Sequence, residues 1–291
     1  MLRKIKEFEY FEPSTLSEAI SLLAQYGGKA KILAGGTDLL IQMKQRSLTP
    51  KYLIDIKNIS ELDYINYKED NGLKIGALVT HNSLANSAVI QEKFSLLVEA
   101  SLAIGTVQTR NRGTVVGNIC NSSPSADTPP ALIALGASFK LKSITEERIV
   151  KAEDFFLSPF NNILKETELL TEIQVPNSPV HSAGTYLWLP KITSVDETLV
   201  GVGVLISVND LIHKICTIAR IGLCSVAPTP IRAKSAEKIL QGKRIEDTIC
   251  GQAAEEAANE SSPRSRAEYR REMVKVLVNR ALDRALKKLS K

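Results

Sequence analysis

The chain has 291 residues, 44% hydrophobic and 24% charged, with a formal net charge of +5. These proportions suit a globular protein of one to three domains, and they exclude a disordered chain, a collagen and a small disulfide-stapled scaffold. The charge is uneven: residues 264–291 hold ten basic and three acidic residues, a net +7, which leaves the other 263 at −2.

Near the N-terminus, Pro13 precedes Ser14, which can cap a helix carrying Ala19, Ile20, Leu22, Leu23 and Tyr26 at helical spacing until Gly27-Gly28 stops it. Residues 31–33 predict a short strand, 34–36 a tight turn, and Thr37 the cap of a helix running to about Arg46. Strands follow over 52–56 and 73–77, Thr80 caps a helix over 81–86, and 94–105 reads as helical. Residues 106–130, rich in small and polar side chains, predict a loop. Strands over 138–141 and 169–175 lead to Pro176-Asn177-Ser178-Pro179, the clearest linker in the chain. Beyond it come strands over 184–189, 199–208 and 215–224, then helices over 231–241 and 268–289. Strands followed by helices point to an α+β architecture.

The N-terminus has no apolar signal-peptide region, and no window approaches the roughly 20 apolar residues of a membrane helix. Cys120, Cys216, Cys224 and Cys250 are widely spaced, and with His81, His181 and His213 they give no metal-ligand spacing. They read as free, mostly buried thiols of a cytoplasmic protein.

Several catalytic signatures are missing: a Walker loop, a Gly-x-Ser-x-Gly elbow and a His-Glu-x-x-His pair. Gly201-x-Gly203 lacks a third glycine and reads as a small-residue patch in a strand. Two glycine-bearing turns remain. The first, Ile32 to Leu40, passes from strand through Gly35-Gly36 into a helix, so that backbone N–H groups can approach an anion at a helix N-terminus. It lacks the Gly-x-Gly-x-x-Gly spacing of a Rossmann turn. The second, Arg110 to Ile119, offers hydroxyl, amide and backbone donors. Two such loops suit a pyrophosphate held between them, with ordinary tight turns as the alternative.

At these loops the sequence resembles the FAD-binding medium subunits of the molybdenum hydroxylases, the xanthine dehydrogenase, nicotinate dehydrogenase and aerobic carbon monoxide dehydrogenase group. Ala34 to Leu39 matches the family's Ala-Gly-Gly-Thr-Asp-Leu. Arg110 to Asn118 matches its Arg-Asn-x-Gly-Thr-x-Gly-Gly-Asn, and Ser123 to Asp127 its Ser-Pro-x-x-Asp. Ala219 to Ala233 resembles its C-terminal signature, and Ala267 to Arg271 the start of its closing helix.

The resemblance implies an α+β, two-subdomain FAD-binding fold of the vanillyl-alcohol-oxidase type over 1–57 and 58–177, then a C-terminal α+β domain with a small sheet and helices over 178–291. It implies an electron-transfer role. A small subunit with two [2Fe-2S] clusters would deliver electrons from a large molybdopterin subunit, and the flavin would pass them to an acceptor such as NAD or quinone. The assembly would be a heterotrimer or a dimer of heterotrimers. On this resemblance Ile32, Leu33, Ala34, Gly35, Gly36, Thr37, Asp38 and Leu39 lie on the ADP and pyrophosphate portion. Thr114, Gly117 and Asn118 close over the pyrophosphate and ribityl chain, and Asp127 faces the flavin. Ile104 and Gly105 lie near the ring, and Leu169 and Leu170 near the adenine, with plain core the alternative for the two leucines and a turn-residue role for Asp127.

Two positions depart from the family pattern. Val116 stands where the family has glycine, and its Cβ could crowd a close backbone approach. Trp188 stands at a lysine position, and Ile192-Thr193 at a basic pair. The only tryptophan thus falls near the isoalloxazine or acceptor face, with half-buried strand packing as the alternative. These departures motivate a second reading, a flavin-poor assembly or scaffold subunit, and a free-standing flavin oxidase is a third. The basic C-terminal segment carries an apolar stripe, Val274, Val278, Leu282, Ala285 and Leu289 among it, and so reads as an amphipathic helix. Its basic face is either solvated or docks an acidic partner subunit, and a nucleic-acid role has no support.

Overall fold

A computed structural model describes residues 4–193 and 195–290. The chain opens with β1 (Glu9–Phe11), α1 (Leu16–Tyr26), β2 (Ala30–Leu33), α2 (Leu39–Gln45) and β3 (Tyr52–Asp55). The three strands form one parallel sheet in the order β1–β3–β2. Thr15, not Ser14, caps α1: its hydroxyl accepts from Glu18 N, while Glu18 reaches back to accept from Ser14 N at 2.8 Å. Gly27, at φ 51°, ends the helix.

The central stretch builds a five-stranded antiparallel sheet, β4 (Ile65–Lys68), β5 (Gly72–Gly76), β6 (Ser138–Lys142), β7 (Glu147–Lys151) and, after a small hairpin of β8 (Phe156–Ser158) and β9 (Asn161–Asn162), β10 (Leu169–Val175). Its order is β4–β5–β10–β6–β7. Between β5 and β6 run α3 (His81–Ala85), α4 (Ala88–Lys93), α5 (Ser95–Leu102), α6 (Val107–Arg112), α7 (Val115–Asn121) and α8 (Thr128–Leu135). The expected loop over 106–130 is therefore largely helical. Its helices have six to eight residues, too few for an apolar period to show, and they start on local caps. Thr106 accepts from Thr109 N, Thr114 accepts from Gly117 N, and α8 starts with two prolines in its first turn. Leu73, Ile75, Phe139, Leu141 and Ile173 of the sheet share one core with Leu97, Val115, Ile119 and Leu132 of the helices.

The last stretch is an antiparallel sheet of β11 (Ser182–Pro190), β12 (Thr198–Val208), β13 (Cys216–Cys224) and β14 (Ile231–Arg232), followed by α9 (Lys234–Leu240), α10 (Asp247–Asn259) and α11 (Ala267–Leu289). The expected helix over 231–241 thus starts as a short strand, and α10 has no counterpart in the sequence reading. The apolar stripe of α11 is buried as expected, with Val274, Val278, Ala281, Leu282 and Ala285 in a second core. Gly203 lies in the fully buried β12, as the small-residue reading requires. A Cβ on Gly203 or on Gly222 would collide with Pro130, so these glycines let α8 lie directly on β12 and β13.

Candidate functional site

The two glycine-bearing segments meet in space. Leu33 ends β2 with its side chain buried, and the chain turns at Gly36, φ +75°. Asp38, not Thr37, occupies the cap position of α2, and no side chain bonds there. Among the described residues, the N–H groups of Gly35, Gly36, Thr37 and Asp38 have no protein acceptor. A Cβ on Gly35 would overlap Arg112 O and lie 2.8 Å from Gly113 Cα. Glycine at 35 therefore lets the loops touch backbone to backbone. Gln42 Nε2 on α2 donates to Asn121 Oδ1 on α7 at 3.3 Å, a second tie between them.

The second segment is set by its neighbours. His81 N donates to Gly113 O and Val115 N to Val79 O, both at 3.0 Å, which brackets Thr114. The Thr114 hydroxyl accepts from Gly117 N at 3.0 Å and so opens α7. Asn118 Oδ1 accepts from Thr128 Oγ1 at 2.6 Å, leaving the Asn118 amide N–H groups without a protein acceptor among the described residues. Val116 is 5% exposed and belongs to the central core. In α7 its side chain packs into that core beside Val115 and Ile119. His81 is buried beside Gly113, with Nδ1 unpartnered among the described residues. Burial, and then the nearby Arg110 charge, push its pKa down to about 4.

Of the other predicted positions, Asp127 is tied to β11 and Trp188 lies on it. Asp127 is buried at the start of α8, where its Oδ1 accepts from Tyr186 Oη at 2.6 Å and Thr198 Oγ1 at 2.7 Å. Burial pushes its carboxyl up to about 6 against the opposite pull of those two hydrogen bonds. Tyr186 and Thr198 are partners the sequence reading missed: they lie 59 and 71 residues away, with no local signal to join them. Ile104 and Gly105 form the turn after α5, and Arg110 holds it through Ile104 O at 2.8 Å and Gly105 O at 3.0 Å. Trp188 is half-buried and stacks on Tyr186 at 6.1 Å between centroids. Leu169 and Leu170 lie in β10 within the central core, Leu170 fully enclosed. A separate cleft of about 590 Å³, between Tyr67, Phe94, His181 and Lys288, contains none of the predicted site residues.

Unpaired backbone donors on the first loop, set against the second, form an arrangement able to receive an anion. Residues 6–178 match the family described as FAD binding domain in molybdopterin dehydrogenase, and 191–285 the CO dehydrogenase flavoprotein C-terminal domain. The carbon monoxide dehydrogenase medium chain of Hydrogenophaga pseudoflava is 38% identical over 86% of this chain and 85% of its own. The nicotinate dehydrogenase FAD-subunit of Eubacterium barkeri is 36% identical over 82% and 81%. Among solved structures, carbon monoxide dehydrogenase from Hydrogenophaga pseudoflava superposes with a TM-score of 0.92 at 36% identity, covering 97% of this chain and 98% of that one. Quinoline 2-oxidoreductase from Pseudomonas putida 86 gives 0.91 at 28%, covering 99% and 100%. The class is thus an FAD-binding oxidoreductase subunit of α+β fold. The chain belongs to the family of FAD-binding medium subunits of the molybdenum hydroxylases.

Proposed function

We propose that this chain is the flavin relay of a molybdenum hydroxylase, receiving electrons from a [2Fe-2S] subunit and passing them to an external acceptor such as NAD or a quinone. The molybdopterin would sit on a large partner subunit. FAD supplies the redox chemistry when bound, and the protein supplies binding, orientation and electrostatics. The observation that carries the reading is the close approach of Gly35 to the Arg112–Gly113 backbone, beside four successive N–H groups with no protein acceptor among the described residues. Those groups, from Gly35 to Asp38, would hold the pyrophosphate, with Ile32, Leu33, Ala34 and Leu39 shaping the nucleotide end. Thr114 keeps α7 in place through Gly117, and Asn118 would offer its free amide to the ribityl chain. Asp127 would face the flavin, held by Tyr186 and Thr198, and the Ile104–Gly105 turn would lie against the ring. Leu169 and Leu170 would support the adenine end from the core. No helix among the described residues is long and apolar enough to cross a membrane.

The role is tested by anaerobic spectroscopy on the purified chain. The flavin band should bleach when the reduced iron–sulfur subunit is added and stay unchanged with the hydroxylase substrate alone. Bleaching by a small substrate without partners would make the chain a free-standing oxidase.

A further inference from the structure

The cleft beside Tyr67 lies between residues of the central stretch and residues of the C-terminal one. Its volume of about 590 Å³ falls within the roughly 300–1,000 Å³ of ligand sites, which favour domain interfaces. Tyr67 and Phe94 come from the central stretch, Ser178 from the linker after β10, and Leu211 and Lys288 from the C-terminal part. A smaller cavity adjoins it, and Lys93, Phe94, Ser178, Ser182 and Lys288 line both.

Part of the lining is apolar. Tyr67 is half-buried, with Phe94 edge-on to it at 6.0 Å between centroids, and Pro179, Leu211 and Leu289 join them. The rest is polar and cationic. Lys93 Nζ stands 5.4 Å from the centroid of the Tyr67 ring. Its acidic partner Glu92, at 3.5 Å, has a side chain 74% exposed, and an ion pair in the open holds an ammonium weakly. Lys93 can therefore turn its N–H groups to a ligand. Lys288 is placed differently: its Nζ donates to Gly184 O at 2.8 Å, Glu99 Oε1 at 3.0 Å and Ser95 Oγ at 3.4 Å. Glu99 also meets Arg284 at 2.9 Å, so two cations share one carboxylate and positive charge is left beside the cleft. Lys288 thus supplies field and Lys93 supplies donors, while Ser178 and Ser182 add hydroxyls common to both cavities. Glu69, the other acid, lines the larger cavity alone.

We propose that this cleft is a second ligand site, for a small arylalkyl acid. The acid group takes the Lys93 ammonium and the serine hydroxyls, and the apolar body lies against Tyr67 and Leu211. Such a ligand bridges the central and C-terminal stretches across the linker. The site stands apart from the flavin reading, since none of the residues assigned to FAD lines the cleft.

Phenylacetate is the probe, with acetate and 2-phenylethanol standing for its acid group and its neutral body. Calorimetric titration of the full-length chain should give saturable one-to-one binding of phenylacetate, with a dissociation constant of about 1 mM or below, in reach of a ligand of that size. Acetate and 2-phenylethanol should each bind about tenfold more weakly, the equivalent of roughly 1.4 kcal/mol. Lys93→Gln should weaken phenylacetate about tenfold as well. Lys68→Gln, an equal loss of charge on β4 outside the cleft, should leave it unchanged. Phenylacetate held between the two glycine-bearing loops instead would be indifferent to Lys93. No saturable binding at roughly ten times the expected constant would overturn the proposal. So would equal affinity in the native and Lys93→Gln chains, or an equal loss in Lys68→Gln. Lys93 is exposed at the end of α4, and circular dichroism checks that its variant keeps the fold. If it does not, the native chain decides: equal affinity for phenylacetate and 2-phenylethanol overturns the site, and a tenfold preference for the acid supports it.

Discussion

At Val116 a motif position and a spatial position part company. The family pattern has glycine there, yet the side chain faces the core from inside α7, where valine is at home. The close approach that does require glycine is at Gly35, against the Arg112–Gly113 backbone. His81 illustrates the opposite case, a residue whose role no motif announces. Its folded pKa of about 4 lies below the unfolded value of 6.5. Between these values the unfolded chain binds more protons, so stability rises with pH through this window and is lost as pH falls toward 4. The effect is on the order of 3 kcal/mol. Asp127, raised to about 6, contributes with the opposite sign over part of the same range. A comparison of native protein with His81→Phe isolates the histidine: denaturant midpoints at pH 7.5 and 4.5 should diverge strongly for the native chain and much less for the variant. Equal divergence would show that His81 does not titrate between the two states.

Among elements, the long strands and the closing helix were legible because their apolar patterns run for many residues: β10, β12 and α11 lie where periodicity puts them. The stretch from α6 to α8 was not legible, because helices of six to eight residues are held by caps and neighbours more than by pattern. The contact between α8 and the sheet rests on absent side chains. Gly222→Ala would drive a Cβ into Pro130, so the domain should lose about 1–3 kcal/mol. Gly251→Ala, in α10 with open space around it, should instead be neutral or stabilise by about 0.5–1 kcal/mol. Melting temperatures moving in the same direction for both would contradict this packing.

For the molecule as a whole, the basic C-terminal segment has a different meaning from its charge count. Arg284 and Lys288 pair with Glu99 on α5 at 2.9 and 3.0 Å, and the same carboxylate accepts from Thr185 Oγ1 and Tyr186 N. Lys275 pairs with Glu255 and Glu272, and Lys287 with Asp283. Much of the basic face therefore serves the fold, and Arg264, Arg266, Arg270, Arg271 and Arg280 are the cations with no acidic partner among the described residues, Arg270 donating instead to Ser225 O. Only these keep the expectation of an acidic docking partner. Glu99 joins α5, β11 and α11, contacts 86 to 189 residues apart that sequence patterning does not reveal. Glu99→Ala leaves two cations and two donors short of their acceptor and should destabilise the chain by about 2–4 kcal/mol. Denaturant unfolding that shifts by less than about 0.5 kcal/mol, the ordinary range for a surface change, would remove Glu99 as a latch.

Acid release of flavin from the purified chain, followed by chromatography, tests the central claim most directly. The cradle predicts one FAD per native chain, and loss of most of it in Gly35→Ala with the circular dichroism of the fold retained. A native chain without FAD, or a Gly35→Ala chain with its full complement, would contradict the account.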